Sequence, residues 1–541
     1  MAAKRDMSMA SIGTYSLKPY KSDLSEEDLL HLLRRCLLGA GHSDVSFYKG
    51  KSLGQCLDGL LRPSPTPPPV REELSDGVDP YVKLGGTWIH APYESEEVNY
   101  RRKIMFRMWW TGLILNRDHS ITEKMTLFWH NHFVTETDVV KDSRYSYYYV
   151  AMLRSHALGN FRQLIREGTT SPAMLVYLGG NTNFKSAPNE NYARELMELF
   201  TLGKSPDIHY TEEDVKAAAR VLTGWKDDKD KCVGLFDPAQ HEPADKHFSA
   251  FFDHHVIKGR EGKEGSDETD ELIDMILRKK EAAKYVCRNL YRWFVYAHID
   301  DTIEREVIAP LADIYFQNNF EIVPVLRALL GSEHFFDPAV RGGIVKSPAD
   351  FLLGSTLEIG VTVYLAPEKT YTTLKECHEP WLQYHLNCED LSQRIGDPPS
   401  VAGWPAYYQA PNYHRWWVNS ASLSMRKKLS DGLSTHEGLI FNGYSISFDF
   451  LNFSRQFENP GDLQGFIAQV TKRLCAVAPA PSTIDQLKGL LVSGMDTDYY
   501  WQKAWKKLED KPDDAETKDV LDARLRMFYA RLLSLPEYHV M

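Results

Sequence analysis

A mainly α-helical protein is expected from three features of this 541-residue chain. Capping residues recur ahead of apolar residues at helical spacing, no alternating polar and apolar runs point to a large sheet, and no repeat period is visible. The expected architecture is a large multi-helix single unit with long Pro/Gly/aromatic loops and few short strands. Residues 1–24 read as an N-terminal extension, 25–430 as a main helical domain carrying the His and Glu motifs, and 431–541 as a C-terminal helical portion packed on it.

The elements follow in order. "SEEDLLHLLRRCLLGAG" opens with Ser25 as N-cap and closes at Gly39. "RPSPTPPPV" cannot be helical and reads as an extended surface connector. "YRRKIMFRMWWTGLILN" is an apolar helix ending near Asn116, and "SITEKMTLFWHNHF" begins with a cap-like Ser120. "PNENYARELMELFTLG" has Asn189 as cap, Glu190 where the helix dipole favours an acid, and Gly203 at C′. "YTEEDVKAAARVLTGW" repeats this grammar, with Thr211 capping and Asp214 three residues on. Residues 226–265 are polar and loop-like. "EAAKYVCRNLYRWFVYAHI", "EIVPVLRALLGSEHFF" and "SPADFLLGSTLEIGVTVYL" look like buried helices, and "DPPSVAGWPAYYQAP" is a Pro/Gly/aromatic loop. The last hundred residues return to helices, broken by "KKLEDKPDDAETKD".

Hydrophobic residues at 43% and charged residues at 25% place the chain among ordinary globular proteins. A net charge of -11 argues against nucleic acid as partner, because phosphate binding needs a basic surface. Seven cysteines, an odd number with no CxxC pair, support neither a zinc ribbon nor a disulfide framework and read as core residues or idle thiols. The start of the chain has no apolar stretch of signal-peptide length, and no segment approaches the roughly 18 apolar residues of a transmembrane helix. The location expected is periplasmic or extracellular if a signal has been removed, otherwise cytoplasmic. GxSxG, Walker A, GxGxxG and HExxH are all missing, so those chemistries have no motif behind them.

Four constellations remain. At about 100° per residue, Glu190, Asn191, Arg194, Glu195, Glu198 and Thr201 share one arc of the glutamate-rich helix, opposite Tyr192, Ala193, Leu196, Met197, Leu199 and Phe200. Such a stripe is either the wet face of a surface helix, with i,i+4 pairs worth about 0.2–0.5 kcal/mol each, or the lining of a site. In "WHNHF", His130 and His132 would point the same way on an extended segment and could jointly hold a metal, but would diverge by about 200° on a helix. "DPAQHEPADKHF" places His241, Glu242 and Lys246 in a loop, as surface charge or as ligands to a substrate. The "PPSVAGWPAYY" loop presents Trp404, Tyr407 and Tyr408, as a stacking platform for a sugar or as a core plug.

Together with "SPAMLVYLGGNTN", "VKSPADFLLG" and the final "LPEYHVM", these blocks resemble a bacterial family known as domain of unknown function 1800, in order along nearly the whole chain. The resemblance implies that His130, His132, Asn189, Glu190, Asn191, Arg194, Glu195 and Glu198 fall in the family's strongest motifs, which shifts the stripe towards a site. The family's "RHD" and lysine correspond here to "QHE" and Lys246, a departure that leaves Glu242 as an acid of different reach. Members often stand beside a sulfatase-like family and some carry carbohydrate-binding modules, which implies polysaccharide or glycoprotein substrates and a sulfatase-like partner at the cell envelope.

The leading functional expectation is therefore a hydrolase of glycans or O-glycosylated proteins. Glu190, Glu195 and Glu198 would supply the carboxyl pair that glycoside cleavage needs, with Arg194, His130 and His132 assisting and no cofactor required. Asn189, Asn191, His241, Glu242, Lys246, Trp404, Tyr407 and Tyr408 would bind substrate. One alternative is a zinc or non-haem iron enzyme ligated by His130, His132 and a glutamate. Another is a non-enzymatic envelope scaffold or glycan-binding partner of the sulfatase-like neighbour. Under the leading reading the stripe faces a pocket shared with both histidines, one glutamate has a raised pKa, and Arg194 is paired to an acid.

Overall fold

Ser25 caps the helix Glu26–Cys36: its Oγ accepts from the Asp28 amide while the Asp28 carboxylate accepts the Ser25 N–H. Thr211 and Asp214 form the same reciprocal box ahead of Glu212–Val221. Such caps satisfy amides that a helix start would otherwise leave unpaired. The computed structural model describes residues 13–74, 78–204, 208–365, 378–441, 443–492 and 497–541. Cys377 and the first half of the N-terminal extension lie outside the described residues.

The chain is mainly α. Among the described residues the strands form two antiparallel hairpins, Trp225–Asp228 with Val233–Phe236 and Lys246–His247 with Val256–Ile257, and one three-stranded antiparallel sheet. That sheet sets Tyr444–Phe448 between Val361–Leu365 and Leu439–Phe441. The outer strand Val361–Leu365 departs from the buried helix expected over "SPADFLLGSTLEIGVTVYL". The helix Pro348–Ile359 stops at Gly360, whose φ of 86° is left-handed. The run that follows is rich in β-branched residues, which fit a pleated surface better than a helix.

One contiguous hydrophobic core runs from Leu29 to Tyr538. Within it Thr122–His132, here called the histidine helix, packs against Ser143–Ser155. The glutamate helix, Asn191–Glu195 continuing as a π-helix over Leu196–Thr201, packs against Glu212–Val221 and Lys280–Phe294. Residues 430 and 431 lie within the helix Ser420–Ser434, which packs on Ala515–Leu533. Of the N-terminal extension, the Gly13 and Thr14 amides donate to Asp337 and the Tyr20 amide donates to the Gly331 carbonyl. The described cysteines are buried free thiols, and among the described residues no helix is long and apolar enough to cross a membrane.

Candidate functional site

Three asparagines set the start of the glutamate helix. The Asn183 side chain accepts the Asn189 amide at 2.8 Å and donates to the Ala219 carbonyl at 2.9 Å. Asn189 Oδ1 accepts the Asn191 amide at 3.0 Å, and Asn189 and Asn191 each donate at 3.2 Å to the carbonyls of Gly179 and Leu178. Both asparagines are thus held as latches between the helix and the preceding turn. Gly203, with φ 81°, ends the helix, and a Cβ there would stand 2.5 Å from the Tyr285 ring.

Beyond Glu195 the helix widens to π winding, with the Leu202 amide reaching back to the Met197 carbonyl and Thr201 Oγ1 donating to the Leu196 carbonyl at 2.5 Å. Single π turns inside helices are frequent at functional sites. The histidine helix supports this turn. His132 Nε2 donates to the Phe200 carbonyl at 2.8 Å, and Asn289 Nδ2 approaches its Nδ1 at 3.4 Å. A carbonyl only accepts, so this pattern fits a neutral ring with its proton on Nε2.

His130 faces elsewhere. Its ring lies edge-on to Trp110 at 5.0 Å, within the field of Asp397. The segment is helical, so the two rings diverge, and the extended geometry that a shared HxH chelate requires is not the one adopted. His132 lines the cavity described below, and His130 is not among that cavity's lining residues. Asp397 itself takes Arg107 at 3.0 Å and both the amide and hydroxyl of Thr137 at 2.7 Å.

Burial pushes the pKa of His130 and of His132 down to about 4, from 6.5. Between those values the unfolded chain binds protons that the folded chain does not. Stability should then drop as pH falls from about 6.5 towards 4, on the order of 2 kcal/mol per histidine at pH 5. Guanidinium denaturation at pH 7 and pH 5 measures this, and an unchanged midpoint across that interval would refute it.

The acids separate into three environments. Arg194 holds Glu212 through two bonds of 2.9 and 2.7 Å and Glu190 at 3.2 Å, all near the surface. Glu198, with its side chain 16% exposed, is ion-paired to Lys204. Glu195 is half-buried, and its pKa is raised, first by burial and then by the Glu198 charge. It also acts on Tyr177, whose hydroxyl donates to Glu136 at 2.8 Å, and on Tyr210. Glu136, Tyr177, Lys204, Tyr210, Glu212 and Asn289 were not singled out from sequence. Glu212 at least carried a signal, as the first residue of a capped helix directly after the motif.

A cavity of ≈ 90 Å³ lies against His132, lined by Leu199 from the glutamate helix together with Asn131, Tyr285, Tyr407 and Tyr408. That volume suits water molecules, well below the several hundred Å³ of a typical ligand pocket. Leu199, and none of the three glutamates, is the side chain this helix gives to the cavity wall. Trp404 is a core plug, buried with Trp417, while Tyr407 packs on Trp293 at 4.3 Å. Tyr408, 44% exposed, is the ring left free for stacking.

Asn131, between the two histidines, positions this loop: its Oδ1 accepts the Trp404 amide at 2.9 Å. Gly403 has φ 89°, and a Cβ there would sit 2.4 Å from Asn131 Oδ1 and 2.6 Å from its carbonyl oxygen. Gly403→Ala should lower stability by more than about 1 kcal/mol, read as a drop in melting temperature. An unchanged melting temperature would contradict the close approach.

His241, Glu242 and Lys246 form a separate cluster. Lys246 Nζ donates to Glu268 Oε2 and to the Glu242 carbonyl at 2.5 Å each, and His241 Nε2 lies 3.2 Å from Glu268 Oε1. The Lys246 and Glu268 side chains are both 0% exposed. Glu242 pairs with Arg220 at 2.8 Å and more loosely with Lys246 at 4.0 Å. His241 and Lys246 are thus buried, and both are held by Glu268. No curated protein and no solved structure matches the chain. The chain matches the family described as Protein of unknown function (DUF1800) over residues 31–540, and it belongs to that family.

Proposed function

We propose that the protein is a hydrolase of glycans or glycosylated proteins that uses Glu195 as proton donor and Glu198 as its ionised partner. The observation that carries this reading is the asymmetry of the two carboxyls. Glu195 is half-buried with a raised pKa and has Glu198 as the like charge beside it, whereas Glu198 is held by Lys204. A carboxyl group with a raised pKa beside a second carboxyl group held by a cation is the arrangement that general acid–base cleavage of a glycosidic bond can use.

His132 acts in this reading as a positioning residue, fixing the π turn that carries Glu198 and Leu199 through the Phe200 carbonyl. Tyr408 supplies the exposed ring for a sugar face. Polymers of the cell envelope, the substrates that a sulfatase-like partner would share, are the class to assay first. Reducing-end release from a panel of polysaccharides and glycoproteins should be seen with wild type and lost in both Glu195→Gln and Glu198→Gln. Release that persists at the wild-type rate in both variants would overturn the assignment.

A further inference from the structure

Away from the glutamate helix, a cavity of ≈ 470 Å³ opens between Glu26–Cys36 and Leu463–Leu474. Its size is that of a small-molecule site. Leu30, Ile467, Pro479 and Ile484 give it apolar walls, and Arg34 stands among them with only 6% of its surface exposed. Arg34 Nη2 donates at 2.8 Å to the carbonyls of Lys472 and Arg473 at the end of the second helix. That contact employs one nitrogen of the guanidinium. Among the described residues Nε has no hydrogen-bond partner, and no ion pair joins Arg34 to a carboxylate.

The other cations of the wall are satisfied: Arg341 pairs with Asp28, and Lys472 with Glu26 at 3.0 Å. Glu358, the acid whose field reaches Arg34, is engaged by Lys346 at 3.6 Å and by the Tyr538 hydroxyl at 3.1 Å. A buried guanidinium without an anionic partner is unfavourable, and burial depresses the Arg34 pKa accordingly. We propose that this cavity binds a small amphipathic carboxylate, its head group against Arg34 and its hydrocarbon chain along Leu30, Ile467 and Ile484. One unpaired cation selects a monoanion, and the apolar walls select a ligand whose remaining surface is hydrocarbon. The site is independent of the glutamate helix and of the hydrolase reading.

Titration calorimetry of the full chain with sodium octanoate tests it, with octan-1-ol as the uncharged analogue. Octanoate should bind wild type and raise its melting temperature. Octan-1-ol, and octanoate with Arg34→Gln, should bind at least about tenfold more weakly, the loss expected for one charged hydrogen-bonded contact. Because Arg34→Gln also removes two bonds to a helix end, Ala468→Trp on the exposed rim provides a second variant. It should weaken octanoate binding without altering the melting temperature of the free protein. No binding to folded wild type, equal affinity for acid and alcohol, or wild-type affinity in both variants would each overturn the proposal.

Discussion

Glu268→Ala is expected to lower the free energy of unfolding by about 3–5 kcal/mol. Its carboxylate sits where burial alone would raise its pKa, yet bonds from His241, Lys246 and the Arg260 amide bring it below the ordinary value. Removing it leaves the Lys246 ammonium, itself 0% exposed, with only the more distant Glu242 carboxylate at 4.0 Å. Lys246→Ala should cost a similar amount for the mirror reason. The double variant Lys246→Met/Glu268→Leu should recover much of the loss, because replacing a buried pair with apolar groups of similar volume is often close to neutral. Denaturant midpoints of the three variants measure the coupling. If instead both single variants fold with wild-type stability, the network is not structural, and the substrate role expected from "QHEPADK" returns.

The parts of the fold fixed by short-range chemistry were legible in the sequence. Ser25 with Asp28 and Thr211 with Asp214 are capping pairs three residues apart, and Gly203 marks a left-handed helix end. What escaped depends on partners distant in the chain. The π turn over Leu196–Thr201 has no local code: the carbonyl of Phe200 is taken by a histidine 68 residues earlier. Arg194 had an obvious i,i+4 neighbour in Glu190, but its bidentate partner is Glu212, on the next helix. The HxH pattern leaves the backbone open, and the helix over Thr122–His132 decides against convergence. Glu268 lies outside every motif, so the surface-loop reading of His241 and Lys246 could not see the acid that buries them. The Val361–Leu365 strand was hidden because a short apolar run fits a buried helix and a buried strand equally well.

On the proposed reaction, Glu195→Gln should lower kcat by a factor on the order of 10² to 10⁴, the usual contribution of a positioned acid, while leaving the denaturation midpoint close to wild type. The same carboxyl can be examined before any substrate is known. Its pKa is raised by burial and by the Glu198 charge, and lowered by Lys204 and Arg194. Glu198→Gln removes the like charge, so the Glu195 pKa should fall. Lys204→Met removes a favourable cation, so it should rise. Carboxyl carbon shifts in an NMR titration of protein labelled at glutamate report both displacements, with Glu195→Gln identifying the signal. Once a substrate is in hand, the alkaline limb of the rate profile should follow the same two directions, because activity is lost as the acid gives up its proton. A Glu195 titration that ignores both substitutions would mean that the two carboxyls do not sense each other. The stripe would then be a solvated helix face whose asparagines and arginine serve only to fix it in place.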